Sequence, residues 1–231
     1  MEKNKKDNLL VIGNGPSTSQ LIGNFEKLKN FDTFGLSLAY RYYSKVNWWP
    51  NYFALADSKV VLNLKDEIRY FLGNSKIPGS NIYLSGDISD LKYNKIEHSS
   101  TGTFAINKAI NLGYKNIFLI GVEANYVEKL NESKSIGIKE FFSKDYHKLD
   151  LNWRRKRKIR TISKKIESNP NYFFDDYQRV GDIYSYPNSK SHKKFIEKIF
   201  NENPQINFFD FNKNSQFNIN KLNLSSYIKD R

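Results

Sequence analysis

Short apolar runs alternate with amphipathic stretches from residue 8 to residue 126. NLLVIG (8–13) is apolar and ends in glycine, which predicts a buried strand entering a turn. STSQLIGNFEKL follows as a predicted helix, with Ser17 or Thr18 able to cap it. FDTFGLSLAY (31–40) and NYFALAD (51–57) read as the second and third strands, the latter ending in Asp57. KVVLNLKDEIRYFL carries Val61, Leu64, Ile68 and Phe71 or Leu72 at helical spacing, and NIYLSG (81–86) reads as a further short strand. The clearest unit is SSTGTFAINKAINLGYKNIFLIGVEANY (99–126). Phe104, Ile106, Ala109, Ile110 and Leu112 define a helix starting near Thr101, Gly113 stops it as a left-handed cap, and NIFLIG supplies a strand. That is the second half of a β-α-β crossover.

Beyond residue 126 the periodicity is lost in basic, aromatic and Asn-rich sequence, and returns in SHKKFIEKIF (191–200, helix) and QINFFDFN (205–212, strand). The expected organisation is a nucleotide-binding α/β core over 1–126, a lid or acceptor-side insertion over 127–190, and a helix, strand and loosely packed polar tail over 191–231 that complete the core. Alternating strands and helices predict an α/β fold with a mainly parallel, Rossmann-like sheet. Ligands of such sheets lie outside the carboxyl ends of the strands. Gly13, Gly15, Asp57, Gly121 and Glu123 all fall at predicted strand ends, and that clustering says more than any single residue.

Composition narrows the chemistry. The 231 residues contain no cysteine, which excludes disulfides, thiolate metal sites and cysteine nucleophiles within the chain. The start is polar, EKNKKDN, and no window nears the roughly 18 apolar residues of a membrane span, so a cytoplasmic location is expected. Net charge is +13, and the stretch NWRRKRKIRTISKK (152–165) holds eight Lys or Arg in fourteen residues. On a helix these charges would cover nearly every face and leave Trp153, Ile159 and Ile162 to pack. A solvated face is the plain reading; attraction to polyanions or to the anionic inner face of a membrane is the sharper one.

In GNGPS the glycines allow a tight turn and close backbone approach, and the amides of the following helix favour an anion. The stretch lacks the third glycine of G-x-G-x-x-G and the G-K-[S/T] of nucleoside triphosphatases. Three histidines are available. His147 lies among charges, His98 precedes the SSTG turn and could donate to a phosphate or carboxylate, and His192 sits at a helix start. His192 suits a general base because imidazole titrates near neutrality; Asp57 is the rival. Asp175, Asp176 and Asp182 lie in the aromatic stretch NYFFDDYQRVGDIYSYPN (171–188). They form no D-x-D, and this stretch is expected to cover a ligand, with Tyr177 and Arg179 as sugar or phosphate contacts.

VIGNGPS followed some ninety residues later by SSTGTFAINKAINLGYKNIFLIGVEANY resembles bacterial sialyltransferases of glycosyltransferase family 42, and also the wider DUF115 group, which includes a pterin diphosphokinase. The resemblance spans most of 8–126 and recurs loosely over 183–211. It implies a GT-A-type glycosyltransferase domain with a basic, aromatic lid insertion, a nucleotide-sugar donor (CMP-sialic acid in the sialyltransferases), a glycan or lipid-linked glycan acceptor, no metal or other cofactor, and relatives that often form oligomers. Gly13, Asn14, Gly15 and Ser17 would lie along the donor, and Ser100, Thr101 and Gly102 match a turn that holds donor groups. Glu123 falls at the acid after the later strand, and Tyr126 where a family tyrosine contacts the departing phosphate. Tyr184 and Tyr186 lie near the family's other tyrosine and histidine segment. Ser37 or a neighbour stands where the family has an asparagine, Asp57 where it has another, and His98 where it has an arginine; the family's catalytic histidine has no gap-free counterpart, and His192 lies about five residues later.

The leading expectation is therefore a metal-independent glycosyltransferase of polysaccharide assembly. A Mg²⁺-dependent diphosphotransferase would instead use the aspartates as its ligand set. Basic nucleic-acid binding has adequate electrostatics but explains neither GNGPS nor the strand-end cluster.

Overall fold

The apolar runs assemble into one parallel sheet. In the computed structural model, which describes residues 7–96, 100–126, 130–149, 158–185 and 189–228, the strands are β1 (Asn8–Ile12), β2 (Asp32–Leu36), β3 (Tyr52–Leu55), β4 (Ile82–Leu84), β5 (Asn94–Lys95), β6 (Asn116–Ile120), β7 (Ser133–Ser135), β8 (Ile159–Ile162), β9 (Ile183–Ser185), β10 (Asn207–Asp210) and β11 (Asn220–Lys221). Eight of them form a sheet in the order β11-β10-β6-β1-β2-β3-β4-β5, every neighbouring pair parallel. The chain steps outward from β1 to β5 and then returns to the other side of β1 with β6. The order thus reverses between β1 and β6, and a crevice at the carboxyl ends of those two strands is where such sheets hold ligands.

Successive side chains point to opposite faces, so each strand serves two layers. Leu9, Val11, Phe34, Ala54, Ile117 and Leu119 pack against α4 (Thr101–Asn111) and α6 (Ser189–Glu202) through Ala105, Ile106, Ala109, Ile196 and Ile199. Leu10, Ile12, Phe53, Leu55, Phe118 and Ile120 face α1 (Tyr40–Lys45), α2 (Ser58–Asn63) and α3 (Lys65–Gly73). The same layer takes in Phe173 and Tyr177, so part of the aromatic stretch is core. β7, β8 and β9 make a separate antiparallel sheet, with α5 (Ile138–Ser143) beside it.

Four expectations change. The stretch after GNGPS forms two short 3-10 turns, Pro16–Leu21 and Phe25–Lys27, separated by Gly23 at φ +75°. Gly15 is the N-cap there and no side chain caps the turn, because the Ser17 and Thr18 side chains bond elsewhere. The 59–72 segment breaks at Leu64 into α2 and α3. Ile159 and Ile162 lie on β8, a strand, and are buried. The front of the basic cluster, residues 152–157 with Trp153, Arg154, Arg155, Lys156 and Arg157, lies outside the described residues, as do His98 and Tyr186. The polar tail docks firmly: Phe217 and Leu224 are buried and β11 extends the sheet. No helix among the described residues is long and apolar enough to cross a membrane.

Candidate active site

The turn after β1 closes directly on the turn after β6. Gly13 N–H donates to the Ile120 carbonyl (2.7 Å) and Gly15 N–H to the Gly121 carbonyl (2.9 Å). Ser17 accepts from Gly121 N–H at its hydroxyl (2.8 Å), and Ser17 N–H donates to Glu123 Oε1 (2.8 Å). A Cβ on Gly13 would stand 2.2 Å from the Gly121 oxygen, and one on Gly15 1.4 Å from Glu123 Oε2. The glycines are thus required by the chain's own second turn. The internal carboxylate of Glu123 takes the amide that the sequence reading reserves for a donor phosphate. Burial raises the pKa of Glu123, against the opposing hydrogen bonds from Ser17.

One residue along, Asn14 faces the other way. Its Nδ2 donates to the Leu36 carbonyl (3.1 Å) and to the Tyr177 hydroxyl (3.0 Å), and its carbonyl accepts from Phe173 N–H (3.1 Å). Its Oδ1 is buried with no partner among the described residues. The Tyr177 ring stacks on Tyr172 with centroids 3.7 Å apart. Tyr126 is half-buried; burial pushes its phenol up to about 12, and the Glu123 carboxylate adds to the rise. Burial raises the phenols of Tyr172 and Tyr177 as well; Tyr177 and Tyr126 add to the rise at Tyr172, and Tyr126 to that at Tyr177.

Ser37 ends β2 with φ +52°, a conformation that costs a serine free energy and is found where geometry is dictated from outside the residue. Its hydroxyl donates to Thr101 Oγ1 (3.3 Å), which also accepts from Ala56 N–H (3.1 Å). This ties the carboxyl ends of β2 and β3 to the first turn of α4. Ser100 caps that helix, accepting from Thr103 N–H (3.3 Å). Among the described residues a Cβ on half-buried Gly102 would meet nothing within 4 Å, so there is open space beside the start of α4 where there is none at Gly13 and Gly15. Helices that precede strands of a parallel sheet begin at its carboxyl edge. α4 and α6 lie side by side and both do so, which brings the start of α6, with His192, to the same edge. His192 is half-buried, and burial lowers its pKa below the ordinary 6.5.

The other named residues have structural partners. Asp57 caps α2, accepting from Lys59 N–H (3.0 Å), and pairs with Lys59 Nζ (2.7 Å). Tyr184 lies on β9 and donates to Ser133 Oγ (2.7 Å). The aspartates of the aromatic stretch do not converge: Asp175 is exposed, Asp176 pairs with Arg179 (2.6 Å), and Asp182 is buried on Arg41. Among the described residues no group of three or more His, Asp or Glu could hold a metal ion. Two shallow clefts, about 290 Å³ beside Lys65 and Asp87 and about 260 Å³ beside Asn212 and Asn223, lie away from the Asn14 cluster. The site is therefore defined by converging side chains.

Arg41 is the residue that sequence reasoning missed. Its guanidinium, inside α1, bonds Asp182 on two oxygens (2.5 and 3.1 Å), Glu67 on two (2.5 and 2.9 Å), and the Tyr177 carbonyl (2.8 Å). Burial alone would lower its pKa, but the bonds to Asp182 and Glu67 outweigh that and hold it above the ordinary value. Arg41 fixes the backbone that carries Tyr177 onto Asn14. An arginine inside a tyrosine-rich run gives no periodic signal, so only the fold reveals it.

No protein-family model and no curated protein matches the chain. Among solved structures the fold is similar to that of the MAf glycosyltransferase from Magnetospirillum magneticum AMB-1, with a TM-score of 0.55 and 12% identity over 98% of this chain. The chain spans 35% of the length of that neighbour. At this identity the likeness is one of fold.

Proposed function

We propose that the protein is a glycosyltransferase that takes a nucleotide-activated sugar, a CMP-sugar being favoured, and transfers the sugar to a glycan or lipid-linked glycan acceptor. The observation that carries this reading is the Oδ1 of Asn14, buried without a partner among the described residues at the carboxyl end of the central strand. Ser37, Thr101 and the open first turn of α4 lie at the same edge. The fold likeness to a protein named as a glycosyltransferase supports it, as does the resemblance of the two glycine-bearing blocks to family 42. In this reading Asn14, Ser37, Thr101 and Gly102 hold the donor, with the phosphate toward the α4 amides. Tyr126 donates its hydroxyl proton to the leaving phosphate oxygen as charge develops there. His192, kept neutral by burial, takes the acceptor hydroxyl proton. The aspartates, each engaged separately or exposed, offer the diphosphotransferase alternative no assembled ligand set.

The test is hydrolysis and transfer with CMP-, UDP- and GDP-sugars, with and without EDTA. We expect turnover with one nucleotide class that EDTA leaves intact. His192→Ala should cut it about 10²–10⁴-fold with little change in donor affinity. Because the folded pKa of His192 lies below 6.5, the neutral base persists into mild acid, and kcat/KM should fall only below that value. Absence of turnover with every donor, or EDTA inhibition reversed by Mg²⁺, overturns the reading. Full activity in His192→Ala with none in Asp57→Asn moves the base to Asp57.

A further inference from the structure

The small antiparallel sheet carries a surface that the transferase reading does not use. α5 packs inward through Phe141, which joins Tyr146, Ile159 and Ile183 in a separate apolar cluster. Ile138 and Phe142, four residues apart and so on one face of the helix, point outward and are 79% and 53% exposed. The other exposed large apolar side chains, such as Tyr70, Val180 and Phe195, stand singly on separate elements. Lys134, Lys139, Lys144 and Lys148 flank the pair in the sequence and are all exposed. Among the described residues Lys144 pairs with the half-buried Glu140 (3.4 Å) and Lys148 with the exposed Asp145 (3.0 Å). Residues 134–165 contain twelve Lys or Arg against three acids, a net charge of +9 out of the chain's +13.

We propose that this face docks on an anionic lipid bilayer, with Ile138 and Phe142 entering the headgroup boundary and the flanking cations pairing with lipid phosphates. Two apolar side chains are too few for the roughly 1,000 Å² or more of a stable protein interface. They do suit the shallow insertion of an interfacial helix backed by positive charge. The sheet that bears α5 contacts α2 through Asn63, which accepts from Ile183 N–H (3.2 Å) and donates to the Tyr146 hydroxyl (3.3 Å). α2 itself starts at the carboxyl end of β3, so the docked face belongs to the part of the molecule that flanks the candidate site.

Co-sedimentation of the full chain with phosphatidylcholine vesicles, and with vesicles that also contain phosphatidylglycerol, tests the proposal. We expect binding to the mixed vesicles alone, weakened by salt. Ile138→Asn with Phe142→Asn should lower the partition at least about tenfold, with an unchanged circular dichroism spectrum because both side chains are exposed. Replacing Lys139, Lys144 and Lys148 by Gln should also weaken it. Failure of the unmodified chain to bind mixed vesicles, or undiminished binding by the double Asn variant, overturns the proposal. Retention on a single-stranded oligonucleotide without vesicle binding would overturn it too and assign the charge to nucleic acid.

Discussion

A methyl group on Gly13 would meet two backbone atoms of Gly121, at 2.2 and 2.6 Å, whereas one on Gly15 first meets the mobile end of Glu123. Backbone cannot yield without parting the β1 and β6 turns, so Gly13→Ala should cost about 1–3 kcal/mol, the usual range for overpacking. Gly15→Ala should cost about 1 kcal/mol, chiefly the hydrogen bond from Ser17 N–H to the displaced carboxylate. Adding Glu123→Ala to Gly15→Ala should then cost almost nothing more, since the contact is already lost. Urea unfolding of the three variants measures this; equal midpoints for Gly13→Ala and the unmodified chain would show that the two turns are not in contact. GNGPS was legible as a place where glycine is needed. The reason for the need was not, because the partner carboxylate lies 106 residues along the chain and nothing local points to it. Asn14 and Thr101 were singled out from the sequence, but the Tyr177 hydroxyl that holds Asn14 was expected to touch a ligand.

Strands were read well because a strand buried on both faces is a short apolar run, and β1, β2, β3, β4, β6 and β10 each appear as one. Helix α4 was equally plain: its apolar stripe ends at Gly113, which does adopt φ +83°. The misreadings have local causes. Gly23, at φ +75°, and the diversion of Ser17 to Gly121 stop an α-helix from forming over 17–28. The basic stretch shows no period of two, because Ile159 and Ile162 pack into two separate clusters on opposite faces of β8, while Arg160 bonds Ser133 Oγ (2.8 Å). The small sheet was invisible for that reason. Besides the Asn63 bonds from α2, charge joins it to the rest: Asp182, just before β9, is locked to Arg41 of α1 and, through it, to Glu67 of α3. Removing only the cation leaves one buried and one half-buried carboxylate uncompensated. Arg41→Met should therefore cost about 3–5 kcal/mol, and adding Asp182→Leu should recover a large part of it. Chemical denaturation of the single and double variants decides; a loss under about 1 kcal/mol for Arg41→Met would mean that the network contributes no more than a surface pair.

For the molecule as a whole, the question is whether the aromatic stretch opens as a lid or moves with the core. Its contacts are those of core. Phe173 and Tyr177 are buried in the same cluster as Leu10, Ile12 and Phe118, and Phe173 and Phe174 pack edge-on and tilted on Tyr42 at 5.2 and 5.3 Å. Phe173 N–H is bonded to the carbonyl of Asn14 itself. A lid would break that bond each time a ligand enters, whereas an integral wall would not. α5 differs: Phe141 sits in its own small cluster, and its N–H to Gly137 bond lies in a helix of six residues. Native-state hydrogen exchange separates these cases, because an amide exchanges with the free energy of the smallest opening that exposes it. The Phe173 amide should exchange in step with the Gly15 amide, whose bond to Gly121 joins the two central strands, and Phe141 should exchange well before both. Should Phe173 exchange about a hundredfold faster than Gly15, a difference of about 2.7 kcal/mol, the aromatic stretch opens independently. Substrate entry would then proceed by its movement. Equal rates instead leave the first turn of α4, with open space at Gly102, as the side from which a donor reaches Asn14.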